Sequence, residues 1–292
     1  MSAAHDVRRA QAWLGTFVEI RVGGLPPLAA IAAIEAAFVE VAAVHALMSF
    51  HETGSDLSRL HRMAAGVPVQ VDPRTYDVLV AALRFADESG GCFDPTIAAR
   101  LVAWDLLPRP IGATLLDPQA NWRDVELLDG AHVRFHRQVW LDLGGIAKGY
   151  AVDRALEVLR ARGATAACVN AGGDLRRFGE AAESVALRHG SANRCALPEI
   201  ELGNAAVASS VVTAHGERGD QCVHSVHVNA RSGRSMRARR AVSVVADTCM
   251  TADALTKVML ADVRVGGRLL RRHGASACLS DGARGWRLFG HG

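Results

Sequence analysis

Apolar residues in the first third of the chain recur every three or four positions in two long stretches. In residues 27–50 the recurring apolar positions are Ile31, Ile34, Phe38, Val41 and Met48. Because Glu35 and Glu40 interrupt this stretch, it predicts an amphipathic helix packed on a core rather than a membrane span. Residues 73–89 repeat the spacing and predict a second helix.

Shorter apolar runs bounded by turn residues predict strands over much of the remaining chain. The predicted strands are residues 13–22, 132–141, 165–170, 184–188, 205–212, 223–229 and 241–246, with a final pair at 275–280 and 285–290. Further helices are predicted at 147–162, 251–261 and 263–273. Because strand pairs are mixed with helices and no linker divides the chain, we expect one α+β domain over residues 1–292, with largely antiparallel sheets.

The composition is that of an ordinary globular chain and limits the classes of partner. Half of the 292 residues are hydrophobic, and the formal net charge of +3 is too small to indicate nucleic acid. The basic run at 234–240 has no interleaved aromatic residues for base stacking, so no nucleic-acid partner is expected. The six cysteines form no CxxC pair, and the start of the chain lacks an apolar segment and a cleavage site. Reduced thiols and a cytoplasmic location are therefore expected.

Residues 141–153, LDLGGIAKGYAVD, carry the clearest candidate chemistry. An aspartate, two glycines and a lysine stand at the start of a predicted helix, although the spacing matches neither a P-loop nor a dinucleotide-binding turn. Gly144 and Gly145 would let backbone N–H groups approach an anion, and Lys148 adds a full charge beside the helix N-terminus. The stretch is interpreted as a phosphate-binding turn, with a simple tight turn as the alternative.

Two further motifs supply groups that could contact the rest of a nucleotide. VNAGGD at 169–174 is a second glycine turn after an apolar strand, and Asn170 is a polar anchor in it. In GCFDPT at 91–96, Asp94 could accept hydrogen bonds from the edge of a ring while Phe93 covers the face of that ring.

Oxygen-bearing residues near the start of the predicted helix 251–261 could hold a hard cation. Asp253 and Thr256 lie within one turn of each other, and oxygen ligands suit such a cation. An aspartate in this position is commonly only a cap of the helix. Taken together, the two glycine turns, the aromatic–carboxylate pair and the oxygen cluster indicate a nucleotide that carries both phosphates and a flat ring.

The same segments, in the same order, resemble the ApbE family of flavin transferases. The matching segments are MSFHETGSDLSRL (48–60), GCFDPT (91–96), LDLGGIAKGYAVD (141–153), VNAGGD (169–174), ASS (208–210), RSG (231–233) and CMTADAL (249–255). The resemblance implies a T-fold-like α+β architecture with FAD bound in a cleft between two lobes. It also implies FAD:protein FMN transfer, in which a threonine or serine hydroxyl of an acceptor protein attacks the FMN-side phosphorus of FAD and AMP leaves.

The resemblance also assigns residues to an FAD pocket and to a magnesium site. The FAD-pocket residues would be Met48, Cys92, Phe93, Asp94, Asp142, Lys148, Tyr150, Asp153, Asn170, Gly172, Gly173 and Ser210. The ligands of Mg²⁺ would be the Ala147 carbonyl oxygen, Asp253 and Thr256.

Lys257 is the sharpest departure from the family pattern, which usually has a threonine there as a metal ligand. If the ammonium group points inward, it would repel a divalent ion and could itself neutralise the pyrophosphate, so Mg²⁺ would be weakened or replaced. If it points outward, Lys257 is an ordinary surface lysine.

The general base of the family is displaced as well. A strict count from Gly233 puts Val226 where the family has a histidine, so His227, or failing that His224, could serve only if the strand shifts by a residue or two. A strand histidine without a catalytic role is the alternative. The glycine of the family's TSG segment is Val211 here.

These departures leave three functions open. The first is FMN transfer to an acceptor protein, and the second is hydrolysis of FAD to FMN and AMP by water. The third is a flavin-binding protein of the same fold in which catalysis has been lost.

Overall fold

The computed structural model describes residues 6–63, 65–187, 198–212, 225–236, 240–281 and 285–290. Its helices are α1 (Pro27–Met48), α2 (Asp56–Arg62), α3 (Pro73–Glu88), α4 (Ala98–Ala103), α5 (Ala147–Ala161), α6 (Cys249–Ala261) and α7 (Val263–Arg272). Its strands are β1 (Val7–Trp13), β2 (Thr16–Gly23), β3 (Val69–Gln70), β4 (Val125–Leu128), β5 (His132–Phe135), β6 (Ala166–Ala171), β7 (Asp174–Phe178), β8 (Glu183–Ala186), β9 (Glu199–Leu202), β10 (Ala206–Val212), β11 (Val228–Asn229), β12 (Arg234–Ser235), β13 (Arg240–Ala246), β14 (Ser276–Ser280) and β15 (Trp286–Phe289).

An eight-stranded sheet in the order β1-β2-β6-β7-β10-β13-β14-β15 is the centre of the fold. Each pair of neighbours in it is antiparallel. A three-stranded sheet, β3-β5-β4, and two short pairs, β8-β9 and β11-β12, complete the strands of the described residues. The predicted α+β fold with mostly antiparallel sheets is confirmed.

The predicted helices form, and their first residues are fixed by local capping groups. α3 begins at Pro73, where a missing N–H costs nothing, and the Asp72 side chain accepts a hydrogen bond from the Arg74 N–H. α6 begins at Cys249, two residues earlier than predicted, because the Thr248 side chain accepts a hydrogen bond from the Thr251 N–H. Asp253 therefore lies two residues further into the helix than predicted, in its second turn.

α1 and α5 pack together and cover the β2–β6 part of the large sheet. The fully buried side chains of this core include Val18, Ile20, Ile34, Val41, Leu159 and Val169. Among the described residues, α1 is the one helix that is long and apolar enough to cross a membrane by length and composition. Most of its buried side chains, among them Ile34, Phe38 and Val41, pack in this core.

A second core lies between α3, α6 and the adjoining strands β10 and β13. Its fully buried side chains include Leu79, Phe85, Leu141, Leu143, Ile146, Val242, Val244 and Leu255. The segment that leads into α5 runs through this core, so the candidate phosphate-binding turn rests on a packed base.

The strand predicted over 132–141 was wrong in its second half. β5 ends at Phe135 because its partners β3 and β4 extend no further, and the described residues beyond it find no strand to pair with. Residues 139–141 are instead buried consecutively, and the chain reaches α5 as an irregular segment. Alternation of apolar residues can identify a strand, but its length depends on a partner that the local sequence does not contain.

Candidate functional site

A cavity of about 420 Å³ opens between the end of α1, the loop before α4, the segment before α5, and the strands around His227. This volume lies in the range of small-molecule and cofactor sites. Of the residues assigned to the FAD pocket, those that line the cavity are Met48, Cys92, Phe93, Asp94, Asp142 and Lys148. Ala147, His227 and Lys257 line it as well.

The segment before α5 is held in a fixed shape beside the cavity. The Asp142 side chain accepts a hydrogen bond from the Gly144 N–H at 2.9 Å, and the Asp142 N–H donates to the Pro95 carbonyl at 2.8 Å. A Cβ at Gly145 would lie 3.3 Å from a ring carbon of Phe93, tighter than ordinary van der Waals contact. The glycine at 145 therefore lets the aromatic ring and the turn approach each other.

Asp94 faces the same cavity and is oriented by its neighbour Thr96. One oxygen of Asp94 accepts hydrogen bonds from the Thr96 N–H at 2.8 Å and from the Thr96 hydroxyl at 2.6 Å. Burial raises the pKa of Asp94, and the bonds from Thr96 oppose that rise. The carboxylate is thus presented at the cavity wall as a fixed acceptor.

Two lysine–aspartate ion pairs lie beside the cavity. The Lys148 ammonium lies 2.5 Å from an Asp174 oxygen, and the Lys257 ammonium bonds to one Asp253 oxygen. Both aspartates are buried, whereas the lysines are partly exposed to the cavity. Burial acts to lower the pKa of Lys148, but the charges of Asp174 and Asp253 outweigh it and raise that pKa.

The predicted magnesium ligands do not form an open cation site. One Asp253 oxygen is paired with Lys257, and the other accepts a hydrogen bond from the Gly149 N–H at 3.2 Å. The Thr256 hydroxyl donates to the Asp253 carbonyl at 2.6 Å and lies 2.8 Å from the Ser210 hydroxyl. Within the described ranges, no group of three or more histidine, cysteine or acidic side chains could hold a metal ion. The donor set as arranged does not fit a resident divalent cation.

His227 lines the cavity with its ring held by the backbone. The ring forms a hydrogen bond with the backbone of Val211, and the His227 N–H donates to the Ser225 hydroxyl at 3.1 Å. Burial, helped by the charges of Lys257 and Lys148, lowers the pKa of His227 to about 4. The imidazole is therefore neutral at pH 7, as a proton acceptor must be. The other candidate base, His224, lies outside the described residues.

The remaining residues assigned to the FAD pocket lie away from the cavity wall. The Asp153 side chain accepts hydrogen bonds from the N–H groups of Cys249 and Met250 and from Arg176, at 2.8 to 2.9 Å. It therefore caps the start of α6. Tyr150 is buried in the second core, and Ser210 is buried against Thr256.

The second glycine turn connects β6 to β7 and is not brought to the cavity. The Asn170 side chain accepts a hydrogen bond from the Gly173 N–H at 2.8 Å. Gly172 has a φ of 63°, and a Cβ there would lie 2.4 Å from the Thr16 hydroxyl oxygen. These contacts make the turn a tight connection pressed against the β1–β2 hairpin, where only glycine fits.

Sequence reasoning missed two residues that shape the site. Gly149 lies in the first turn of α5, where a Cβ would lie 2.4 Å from the Cys249 carbonyl oxygen. Because glycine has no Cβ, α5 and α6 can pack closely at this point. Thr96 follows Asp94 by two positions, and a DPT sequence is a local signal of this side-chain hydrogen bond. Val226, where a strict count placed the family histidine, is 61% exposed at the cavity.

Comparison with known proteins agrees with this fold. The sequence profile of the ApbE family matches residues 14–279. Relatives named FAD:protein FMN transferase include one from Treponema pallidum, 30% identical over 67% of this chain and 56% of the relative. Another, from Rhodobacter capsulatus, is 28% identical over 86% of this chain and 50% of the relative. The chain thus spans about half the length of these relatives.

Solved structures show the same fold at low sequence identity. The ApbE protein of Thermotoga maritima superposes with a TM-score of 0.82 at 24% identity, covering 94% of each chain. The flavin transferase ApbE of Vibrio cholerae also gives 0.82, at 21% identity, covering 98% of this chain and 97% of the other. With a family profile that matches most of its length, this chain belongs to the ApbE family.

Proposed function

We propose that the protein is an FAD:protein FMN transferase. FAD would be the donor, and a threonine or serine of an acceptor protein would receive FMN through a phosphoester bond. Relatives that carry this name support the proposal. The observation that carries it is the meeting of three kinds of group in one cavity. These are the ring-edge acceptor Asp94 beside Phe93, the ammonium group of Lys148, and the neutral imidazole of His227.

The reaction needs positioning, charge neutralisation and the removal of one proton. The acceptor hydroxyl oxygen attacks the FMN-side phosphorus, the bond from that phosphorus to the bridging oxygen breaks, and AMP leaves with the electron pair. His227 would accept the proton of the attacking hydroxyl, since its neutral ring has a nitrogen available for it. Lys148 would stabilise the negative charge that builds up on the phosphate oxygens.

Asp94 and Phe93 would hold the flat ring. The free oxygen of Asp94 would accept a hydrogen bond from the ring edge, and the Phe93 ring would cover a ring face. The resemblance also implies Mg²⁺ at Ala147, Asp253 and Thr256. Because Lys257 occupies one of the carboxylate oxygens that such an ion would need, we assign no step to a metal.

Incubation of the purified protein with FAD tests the proposal. The mixture would be followed with and without a folded acceptor domain that carries a candidate threonine, by AMP release and by the mass of the acceptor. The expected result is AMP release that depends on the acceptor, with the mass of FMN minus water added to the threonine. A threonine-to-valine acceptor is the matched control. AMP and free FMN released at the same rate without acceptor would instead establish hydrolysis, and no AMP at all would establish a binding protein.

A further inference from the structure

We propose that the ammonium group of Lys257 is a built-in cation of this site, which neutralises the pyrophosphate of FAD in place of a divalent metal ion. The inference rests on the proposed function only in that FAD is the ligand. It follows from the position of Lys257, from the state of Asp253 and from the second lysine beside them.

Lys257 points toward the cavity rather than away from it. It lies in the third turn of α6 and lines the cavity, with its side chain 22% exposed. A Cβ at Gly145 would lie 3.7 Å from both Cγ and Cε of Lys257, so the aliphatic stem passes over the glycine turn. The charged end is therefore held beside the turn, and the outward orientation of a surface lysine does not apply.

Asp253 is the anchor that fixes this ammonium group. Its side chain is 0% exposed, and burial raises its pKa while the charge of Lys257 opposes that rise. A buried carboxylate needs a charged partner, and Lys257 supplies it. A divalent ion on the same oxygen would have to displace the ammonium group, which would then remain as a like charge close by.

Lys148 provides a second ammonium group at the same cavity. Each lysine is tied to a buried aspartate, and each is partly exposed on the cavity side. Both ammonium groups act on His227, since each helps to lower its pKa. Lys148 and Lys257 line the same cavity as Gly144 and Gly145, so a pyrophosphate bound at this turn would meet two ammonium groups.

The first measurement is the dissociation constant of FAD, read from flavin fluorescence, in excess EDTA and in millimolar MgCl₂. The wild-type protein should give the same value within about twofold in both conditions. Lys257→Met keeps the stem and removes the charge, so it should weaken FAD binding by about 10- to 100-fold in both. Wild-type binding that is lost in EDTA, or a Lys257→Met variant that binds as wild type, would overturn the inference.

Two further variants separate the role of the charge from folding and from metal binding. Asp253→Asn combined with Lys257→Met leaves a neutral pair, so the buried carboxylate is not stranded. It should keep the melting temperature near that of wild type and still lose FAD affinity. Lys257→Thr frees Asp253, so it should bind Mg²⁺ in titration calorimetry without FAD, where wild type gives no heat. Equal heats for both proteins would count against the inference.

AMP release, measured separately, distinguishes this inference from the proposed function. FAD binding that is unchanged in EDTA and depends on Lys257, without AMP release, would support the role of Lys257 and refute the transferase activity. AMP release that needs Mg²⁺, with FAD binding that is lost in EDTA, would support the transferase activity and refute the role of Lys257. Failure of the wild-type protein to bind FAD in either condition would refute both.

Discussion

His61 accepts a hydrogen bond from the Leu141 backbone N–H through its Nε2 atom, at 2.8 Å. The ring is 1% exposed, and burial lowers its pKa to about 4. Leu141 is the residue before Asp142, so a neutral histidine of α2 holds the start of the segment that shapes the cavity. Protonation of Nε2 would remove the acceptor of this bond.

This bond predicts a dependence of folding stability on pH. The unfolded chain binds a proton at His61 near pH 6.5, whereas the folded protein does so only near pH 4. The contribution of His61 to the free energy of unfolding is therefore fully present above about pH 6.5. It is lost as pH falls from there toward 4, which lowers the free energy of unfolding by roughly 3 kcal/mol if His61 acts alone. Urea unfolding at pH 7, 6, 5 and 4.5 measures it. His61→Gln, which retains an acceptor but does not titrate, should show a flatter profile, and an identical slope would refute the assignment.

Asp94 should contribute directly to FAD affinity. Asp94→Ala removes the fixed acceptor at the cavity wall and should weaken FAD binding by about 1–3 kcal/mol, because its hydrogen bond to the ring edge is lost. Thr96→Val should weaken binding less, since it loosens the carboxylate without removing it. Asp87→Ala, at an exposed position on α3, is the matched control. An unchanged dissociation constant in Asp94→Ala would remove Asp94 from the site.

His227 should govern turnover and leave binding nearly unchanged. His227→Ala should lower FMN transfer by about 10²–10⁴-fold, since it removes the proton acceptor, while the dissociation constant of FAD stays close to that of wild type. Because its pKa is lowered to about 4, kcat/KM should stay flat as pH falls through 6.5 and decline only at lower pH. A decline centred near pH 6.5, or full activity in the alanine variant, would show that another group is the base.

Gly149 should be intolerant of a side chain. Gly149→Ala places a Cβ 2.4 Å from the Cys249 carbonyl oxygen, so α5 and α6 must separate, with a loss of about 1–3 kcal/mol in stability. Gly267→Ala is the matched control, because that glycine of α7 has no atom within 4 Å of the added carbon. The control should be neutral or slightly stabilising. Similar melting temperatures for the two variants would contradict the packing argument.

The elements that depend on local periodicity could be predicted from the sequence, and those that depend on distant partners could not. α1 and α3 followed from the spacing of their apolar residues, and the turn at Gly144 and Gly145 was located correctly. β5 was predicted too long because its length is set by β3 and β4. The limits of a helix or strand are fixed by contacts that a local pattern does not record.

The same distinction between local patterns and distant partners applies to the residues of the candidate site. Asp94, Asp142 and Lys148 lie in short motifs, and the structure brings all three to the cavity. Asp153 is in the same motif as Lys148, yet it bonds to Cys249, a residue 96 positions later. Nothing near Asp153 in the sequence indicates that partner. The orientation of Lys257 was open for the same reason, since it depends on the burial of Asp253 and on Gly145.

The hydrogen bonds from Cys249 and Met250 to Asp153 fasten the start of α6 to α5, so the two helices that carry Lys257 and Lys148 form one preorganised frame. The spacing between the two ammonium groups is then set when the chain folds, before any ligand arrives. Little ordering entropy remains to be lost on association, which favours tight capture of a dianion. We therefore expect Asp153 to influence ligand affinity although it lies outside the cavity. Replacement of Asp153 by asparagine would leave the charges of both lysines in place, but the spacing between their ammonium groups would no longer be fixed.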